Sequence, residues 1–507
     1  MAALGKHAVV LGASISGLLA ARVLADFFDS VTVIERDALG DGAENRRGVP
    51  QGRHLHGLLM RGSQVLAELF PGILDELVAA GAPHFDGTDV SRMYLCMNGH
   101  LLVRSGDAER LGVYGPSRPL LESHIRRRVR CLGNVTLRAA YDVVDLTSTS
   151  SRERVTGVRV APHGGGEALD LTADLVVDAT GRGARTPAFL EALGYRRPTE
   201  QKVTVHLKYS SQLLRLPQDA LTEVVFLITP VAGRPSGLAM ARCENDNWML
   251  TVAGMAGNDP PDTFDEICDF AADILPAYAL AAVRSATPLG PTAQHRYPSS
   301  RWHRYDRLRR LPDGLLAVGD AVCSFNPIYA QGMTVAALQA LALRESLSRG
   351  TENLPQRFYA AGAKPIRQAW QQVVGNDLSL PEIVGTPPLT TRLINPYVER
   401  VLSAAEHDLA AMEAFMRVVW LVDPPPRLMR PTIVARALTA GRRSPEVASS
   451  GHRLAVLHRH GRVVGPAQGV GVGSLDAGFD HAVGQQSAGK LIVDPPARVV
   501  VERLASP

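Results

Sequence analysis

Cysteine is scarce in this chain of 507 residues: Cys96, Cys131, Cys243, Cys268 and Cys323 are all it has. They are scattered, odd in number and without Cys-x-x-Cys spacing. That excludes a disulfide framework and a structural zinc site, and it fits a reducing, cytoplasmic setting. Lysine is confined to Lys6, Lys202, Lys208, Lys364 and Lys490, so arginine carries the positive charge. The formal excess is only +4 and no basic block concentrates it, so nucleic acid is not an expected partner. No apolar run reaches the roughly 18 residues of a membrane-spanning helix, so no transmembrane segment is expected. A strand begins within about seven residues of the start, which leaves no room for a signal peptide. There is no internal repeat.

What remains is a globular composition, 46% apolar and 21% charged. The length calls for more than one domain. Residues 7–11 read as a buried strand, 17–28 as a helix and 31–35 as a second strand, a βαβ opening. Helical spacing runs from Arg53 to Phe70 and stops at Pro71-Gly72. Tyr94 to Val103 reads as extended. Ser117 to Cys131 reads as a helix with Pro119 in its first turn. Strands are expected at 134–146, 154–160 and 174–178, the last ending on Asp178-Ala-Thr-Gly181. Segments 203–209, 222–230 and 247–254 alternate or are β-branched, which predicts a second, β-rich unit. Helices follow at 333–348, 355–374 and 398–421, until Asp423-Pro-Pro-Pro426 breaks them. The expected division is a discontinuous nucleotide-binding domain (1–90, 105–194, 296–365), a β-rich substrate domain (91–104, 195–295), a helical region (366–445) and a poorly ordered tail (446–507).

Two motifs carry the chemistry. Gly12-Ala-Ser14-Ile-Ser16-Gly17 follows a strand and opens a helix. A tight turn at Gly12 brings backbone N–H groups to a pyrophosphate, and the helix N-terminus favours its charge. Gly17 lets the helix sit close to the sheet. Ser14 stands where the strict fingerprint has glycine. Glu35 ends the second strand, where a carboxylate accepts hydrogen bonds from an adenosine ribose. The second motif lies far along the chain. An apolar run, Gly314 to Val318, feeds Gly319-Asp320, then Pro327, Gly332-Met333 and an apolar helix. This places a carboxylate and a helix N-terminus on one ligand. An NAD site needs only the first motif, whereas the longer FAD needs an anchor at each end.

The chain resembles the FAD-dependent monooxygenases of the squalene-epoxidase and aromatic-hydroxylase superfamily over roughly residues 5–440. The marks are Gly-Ala-Ser-Ile-Ser-Gly, Val-Ile-Glu35-Arg36-Asp, the arginine loop at 46–53, Ser117-Arg118, Asp178-Ala-Thr-Gly181, and Gly-Asp320 through Gly332-Met333-Thr334-Val335-Ala336. The Arg46-Arg47 loop ending in His54-Leu-His56, and Leu421 to Pro431, are similar to bacterial polyether-type polyene epoxidases. The resemblance implies an α/β fold (α+β overall): a Rossmann-like FAD domain of the glutathione-reductase/aromatic-hydroxylase type, a β-sheet substrate domain and C-terminal helices. It implies that Glu35 binds the adenosine ribose with Arg36 near the adenine. Arg47 and Arg118 would flank the phosphates and ribityl chain, with the particular arginine of 46–53 left open. Val143 would contact the adenine through its backbone, and Asp320 and Met333 the pyrophosphate–ribityl and isoalloxazine portions.

The activity so implied is epoxidation of an apolar polyene through a C4a-hydroperoxyflavin, with O2 as co-substrate. NAD(P)H would act directly or through a separate flavin reductase, because no second Gly-rich βαβ unit is evident. The flavin carries the chemistry, so no catalytic acid or base is expected. Aromatic hydroxylation is the alternative, with prenyl reduction behind it. A halogenase is disfavoured: the Trp-x-Trp-x-x-Ile-Pro string is absent and no lysine falls between Lys6 and Lys202. Other residues have plainer readings. His54 and His56 on one helix would point to different faces, which disfavours a metal pair; a place near the flavin is open to one of them. Asp178 reads as a packing element, Cys323 and Tyr329 as loop packing or active-site lining, and Arg126-Arg127-Arg128 as a solvated helix face.

Overall fold

The computed structural model describes residues 3–440. The expected tail from 446 lies outside the described residues. A five-stranded parallel sheet runs in the order Leu315–Ala317, Leu175–Asp178, Gly5–Leu11, Phe28–Ile34, Val135–Arg138. Val9, Val10 and Leu11 are fully or almost fully buried, as a central strand covered on both faces requires. The register aligns the strand ends: Leu11 pairs with both Ile34 and Asp178, and Asp178 with Ala317. Gly12, Glu35, Thr180 and Gly319 therefore leave the sheet at one carboxyl edge. Successive connections diverge around Gly5–Leu11, the arrangement that opens a ligand crevice. The helices Ile15–Leu24 and Gly332–Leu347 pack into the same core. A three-stranded antiparallel sheet (Tyr141–Ser148, Val155–Pro162, Leu169–Thr172) adjoins it.

The second sheet is larger and mostly antiparallel. Its order is Cys323–Ser324, Ala293–His303, Glu200–Arg215, Trp248–Gly254, Ser236–Arg242, Val225–Ile228, Met93–Met97, His100–Leu101. Met93–Met97 pairs parallel with Val225–Ile228, so residues distant in sequence complete one sheet. Asn98 and Gly99, both at positive φ, make the tight turn between its last two strands. Alternation divides the faces. Phe226, Leu238, Leu250 and Val252 bury against the helices Phe264–Ala271 and Ala277–Arg284. Val225, Leu227, Ala239, Met249 and Thr251 face a cavity on the other side.

The structure corrects three expectations. The helix expected from Arg53 to Phe70 is a short 3-10 turn at Pro50–Arg53 and a helix at Met60–Leu69. Between them the chain is held extended against the second sheet: His54 Nδ1 bonds Ser211 Oγ (2.8 Å) and the Leu55 N–H donates to Thr251 Oγ1 (3.2 Å). These tertiary bonds override helical spacing. The helix expected at 398–421 is two, Leu389–Ala405 and Leu409–Val419, because Asp408 caps the Ala411 N–H (2.9 Å) and starts a new one. Arg126 is not solvated. It is buried, and its guanidinium donates to the Gly42 carbonyl (2.9 Å). Among the described residues, no helix is long and apolar enough to cross a membrane.

Candidate functional site

The first turn is built on two glycines that admit no side chain. Gly12 has φ +100°, and a Cβ there would sit 2.8 Å from the Ala179 carbonyl oxygen. A Cβ on Gly17 would sit 1.8 Å from the Gly12 carbonyl oxygen. The two distant motifs meet directly: Gly319, at φ +62°, lies against Ser16, whose Oγ would be 2.5 Å from an added Cβ.

A buried charge cluster surrounds this junction. Glu35 accepts from the Ala13 N–H (2.7 Å) and the Asp37 N–H (3.0 Å). Arg46 lies between Glu35 (3.4 Å), Asp37 (3.4 Å) and Glu122, and its Nη2 also donates to the Ala13 carbonyl (3.3 Å). Glu122 accepts from Ser14 Oγ (2.7 Å), and Arg118 Nη2 donates to Ser14 Oγ (2.8 Å). Burial opposes the charge on Glu122, but Arg118 and Arg46 outweigh it and hold the carboxyl below its ordinary range. Burial pulls the Arg118 guanidinium down despite Glu122 and Asp320. Burial pushes the Asp320 carboxyl up, against the pull of Arg182 and Arg118. Arg182 bonds Ser324 Oγ (2.8 Å) and the Ser299 carbonyl (3.1 Å) and lies 4.2 Å over the Tyr297 ring.

These residues fit an FAD. Arg118 Nε is buried with no hydrogen-bond partner among the described residues, an orphan donor that an anionic phosphate would satisfy. Nothing lies within 4 Å of a Cβ placed on Gly332, Gly181 or Gly183, so open space borders the second helix N-terminus.

A cavity of about 510 Å³ adjoins the junction. His54 to Gly57, Tyr209, Pro327, Ile328 and Ala330 line it, Leu95, Leu227, Met249 and Trp420 supply apolar wall, and Arg92, Arg242 and Asp246 add charge. Burial, with His56, His295 and Arg53 adding to it, pushes His54 down to about 3. Burial, with Arg118, pushes His56 down to about 4. Both imidazoles are neutral at pH 7. Behind the loop, Asp377 is fully buried and accepts from Asn326 Nδ2 (2.8 Å) and the Tyr329 hydroxyl (2.9 Å). Burial raises its carboxyl to about 7.

No protein-family model matches the chain. It is 40% identical to protein Rv3254 of Mycobacterium tuberculosis over 442 residues, 85% of this chain and 93% of that relative. The chain belongs to the Rv3254 family. The Rv3254-family chain is also 28% identical over 384 residues to kynurenine 3-monooxygenase of Salinispora tropica, spanning 71% of this chain and 77% of that one. Among solved structures, the flavin-dependent brominase Bmp2 superposes with a TM-score of 0.58 at 15% identity, covering 86% of this chain and 98% of that one. At that identity the likeness establishes the fold, that of flavin-dependent monooxygenases and halogenases.

In this Rv3254-family chain, most of the residues singled out from sequence meet at the junction. Gly12, Ser14, Ser16, Gly17, Glu35, Arg118 and Asp320 surround it, Pro327 lines the cavity, and the buried Met333 begins the helix that Gly332 opens. Arg36 and Arg47 are exposed, and it is Arg46 that enters the charge cluster. Val143 is half-buried on Tyr141–Ser148, in the antiparallel sheet. Asp178 accepts from the Thr180 N–H (2.9 Å) and from the hydroxyls of Thr180 and Thr186, closing its own turn. Among the described residues no group of histidine, cysteine or acidic side chains could hold a metal ion. Sequence reasoning missed Arg182, Glu122 and Asp377. Arg182 had a signal, since it follows Asp-Ala-Thr-Gly181 at the edge where the other motifs leave the sheet.

Proposed function

We propose that this protein is an FAD-dependent monooxygenase that adds oxygen to a carbon–carbon double bond of an uncharged, apolar polyene, polyketide- or terpene-like. The observation that carries this reading is the mostly apolar cavity of about 510 Å³ against the Pro327–Ala330 loop, where two neutral imidazoles line it and the charged side chains of the lining are Arg92, Arg242 and Asp246. A cavity of that size suits a ligand of drug-like dimensions. FAD, when bound, supplies the oxygen activation from O2 and reducing equivalents that reach it from NAD(P)H, directly or through a separate reductase. The chain's own residues have simpler tasks. Arg118 neutralises phosphate charge, Arg46 holds the carboxylates of Glu35, Asp37 and Glu122 together, Glu35 holds the ribose, and Asp320 with Arg182 sets the polarity at the ribityl end. The apolar sheet face excludes water and places the double bond. The free cysteines suit a reducing cytoplasm.

Aromatic hydroxylation is the second reading, favoured by the relative named kynurenine 3-monooxygenase. The halogenase reading lacks the Trp-x-Trp-x-x-Ile-Pro string and a lysine between Lys6 and Lys202. The test supplies the purified, FAD-loaded protein with a flavin reductase, NADH and either a linear polyene or a phenol, with products weighed by mass spectrometry. One added oxygen per alkene is expected. Oxygen entering only the phenol sinks the epoxidase reading. Asp320→Ala should weaken FAD binding at least tenfold, as loss of a charged hydrogen-bonding group does; unchanged FAD affinity would remove Asp320 from the site.

A further inference from the structure

His54 is a buried polar group of the cavity to which the proposed reaction gives no role. Its ring is buried, with 4% of its surface exposed, yet it lines the cavity. The ring is fixed edge-on to Tyr209, with centroids 4.5 Å apart. Its Nδ1 bonds Ser211 Oγ (2.8 Å), and Ser211 Oγ bonds Thr251 Oγ1 (2.6 Å). Thr251 Oγ1 also accepts from the Leu55 N–H (3.2 Å). Among the described residues the ring's one side-chain hydrogen bond is that at Nδ1, and Nε2 makes none.

The direction of this chain sets the tautomer. Each hydroxyl has one proton to give. If Thr251 donates to Ser211 and Ser211 donates to Nδ1, both hydroxyl protons are used inside the protein. If the order is reversed, the Thr251 proton has no acceptor among the described residues. The first order leaves only the imidazole Nε2–H unpaired, whereas the second leaves both the Thr251 proton and the Nε2 lone pair unpaired, so fewer lost hydrogen bonds make Nδ1 the acceptor and put the imidazole proton on Nε2. The strand alternation that sends Thr251 toward the cavity, and the bonds that tie His54 and Leu55 to Ser211 and Thr251, hold this donor in the cavity lining.

We infer that His54 is a specificity-determining residue whose Nε2–H donates a hydrogen bond to a carbonyl oxygen of an otherwise apolar, uncharged substrate. The inference rests on the cavity being the substrate site. It narrows the substrate class from a plain hydrocarbon to a ketone- or quinone-bearing molecule. The carbonyl would anchor the substrate and leave the rest of it to the apolar walls.

The test uses two probes of the same shape, 2-acetylnaphthalene and 2-isopropenylnaphthalene, in which C=CH2 replaces C=O. Each is titrated into the full-length FAD-loaded protein by calorimetry. The parent should bind the ketone about tenfold more tightly, the scale of one hydrogen bond in a dry site. His54→Leu should bring that ratio to near one without weakening the alkene. Ser211→Ala, which frees the tautomer but keeps the ring, should lower the ratio in between. His54→Gln, with an amide N–H near the Nε2 position, should restore part of it. Equal binding of both probes by the parent, or an unchanged ratio in His54→Leu, overturns the inference alone. Binding of neither probe overturns the cavity reading and this inference with it.

Discussion

Replacing Asp377 with asparagine should make the protein more stable as the pH rises. The carboxyl is completely buried behind the loop that lines the cavity, where Oδ1 accepts from Asn326 and Tyr329 and Oδ2 has no partner among the described residues. Burial raises its folded pKa from 3.8 to about 7. Below pH 4 the acid is neutral in both folded and unfolded chains and costs nothing. Between 4 and 7 the unfolded chain loses its proton first, so stability falls with pH. Above 7 the fall is complete. A displacement of about three pH units at about 1.4 kcal/mol each makes the whole loss about 4 kcal/mol, of which about 3 kcal/mol falls between pH 5 and 8. Asparagine keeps the Oδ1 acceptor and has no proton to lose. Urea unfolding of the FAD-saturated parent and of Asp377→Asn, run at pH 5, 6, 7 and 8, isolates this group, since all other titrations cancel in the difference. The variant's advantage should grow with pH by about 3 kcal/mol. A difference that stays flat, or shrinks, would refute the reasoning.

Arg46→Ala should strand Glu35, Asp37 and Glu122 without their shared cation, weaken FAD binding more than tenfold and destabilise the fold by about 3 kcal/mol; Arg47→Ala, at an exposed position, should leave both within twofold and 0.5 kcal/mol. Fluorescence titration with FAD and thermal melts measure the pair, and equal effects would contradict the placement of the loop. Gly17→Ala should abolish FAD binding or soluble expression, because its Cβ would lie 1.8 Å from the Gly12 carbonyl oxygen; a soluble variant with parental FAD affinity would count against the turn.

Local signals were legible and long-range ones were not. The βαβ opening, the helix from Ser117 with Pro119 in its first turn, and the strand into Gly319-Asp320 follow from spacing within a dozen residues or so, where periodicity and turn chemistry decide. Arg46 and Arg47 are neighbours with identical chemistry, and only the path of the loop over Glu122 separates them. Arg126 opens an ordinary basic run, and its burial depends on where the 37–49 loop returns. The extended 54–59 segment is set by Ser211 and Thr251, which no local pattern connects to it. Asp377 serves a loop some fifty positions earlier, and a lone acid at the end of a helix carries no sign of that.

The departure at Ser14 is best understood through its hydroxyl. Serine at a helix N-cap ordinarily accepts from the first free N–H groups of the helix. Here Ser14 makes no such bond. Its hydroxyl donates to Glu122 and accepts from Arg118 instead. The first helix therefore keeps N–H groups that its own cap does not satisfy, which is what a pyrophosphate requires of it. Gln331, before the second helix, likewise makes no side-chain cap. By contrast, Ser117 and Asp408 do cap the helices that follow them. A glycine at position 14 would leave the same N–H groups free but would lose the tie to Glu122 and Arg118. Serine thus keeps the anion site open while fixing the arginine beside it, so Ser14→Gly should retain FAD binding but loosen Arg118, raising the FAD dissociation constant severalfold rather than abolishing the complex.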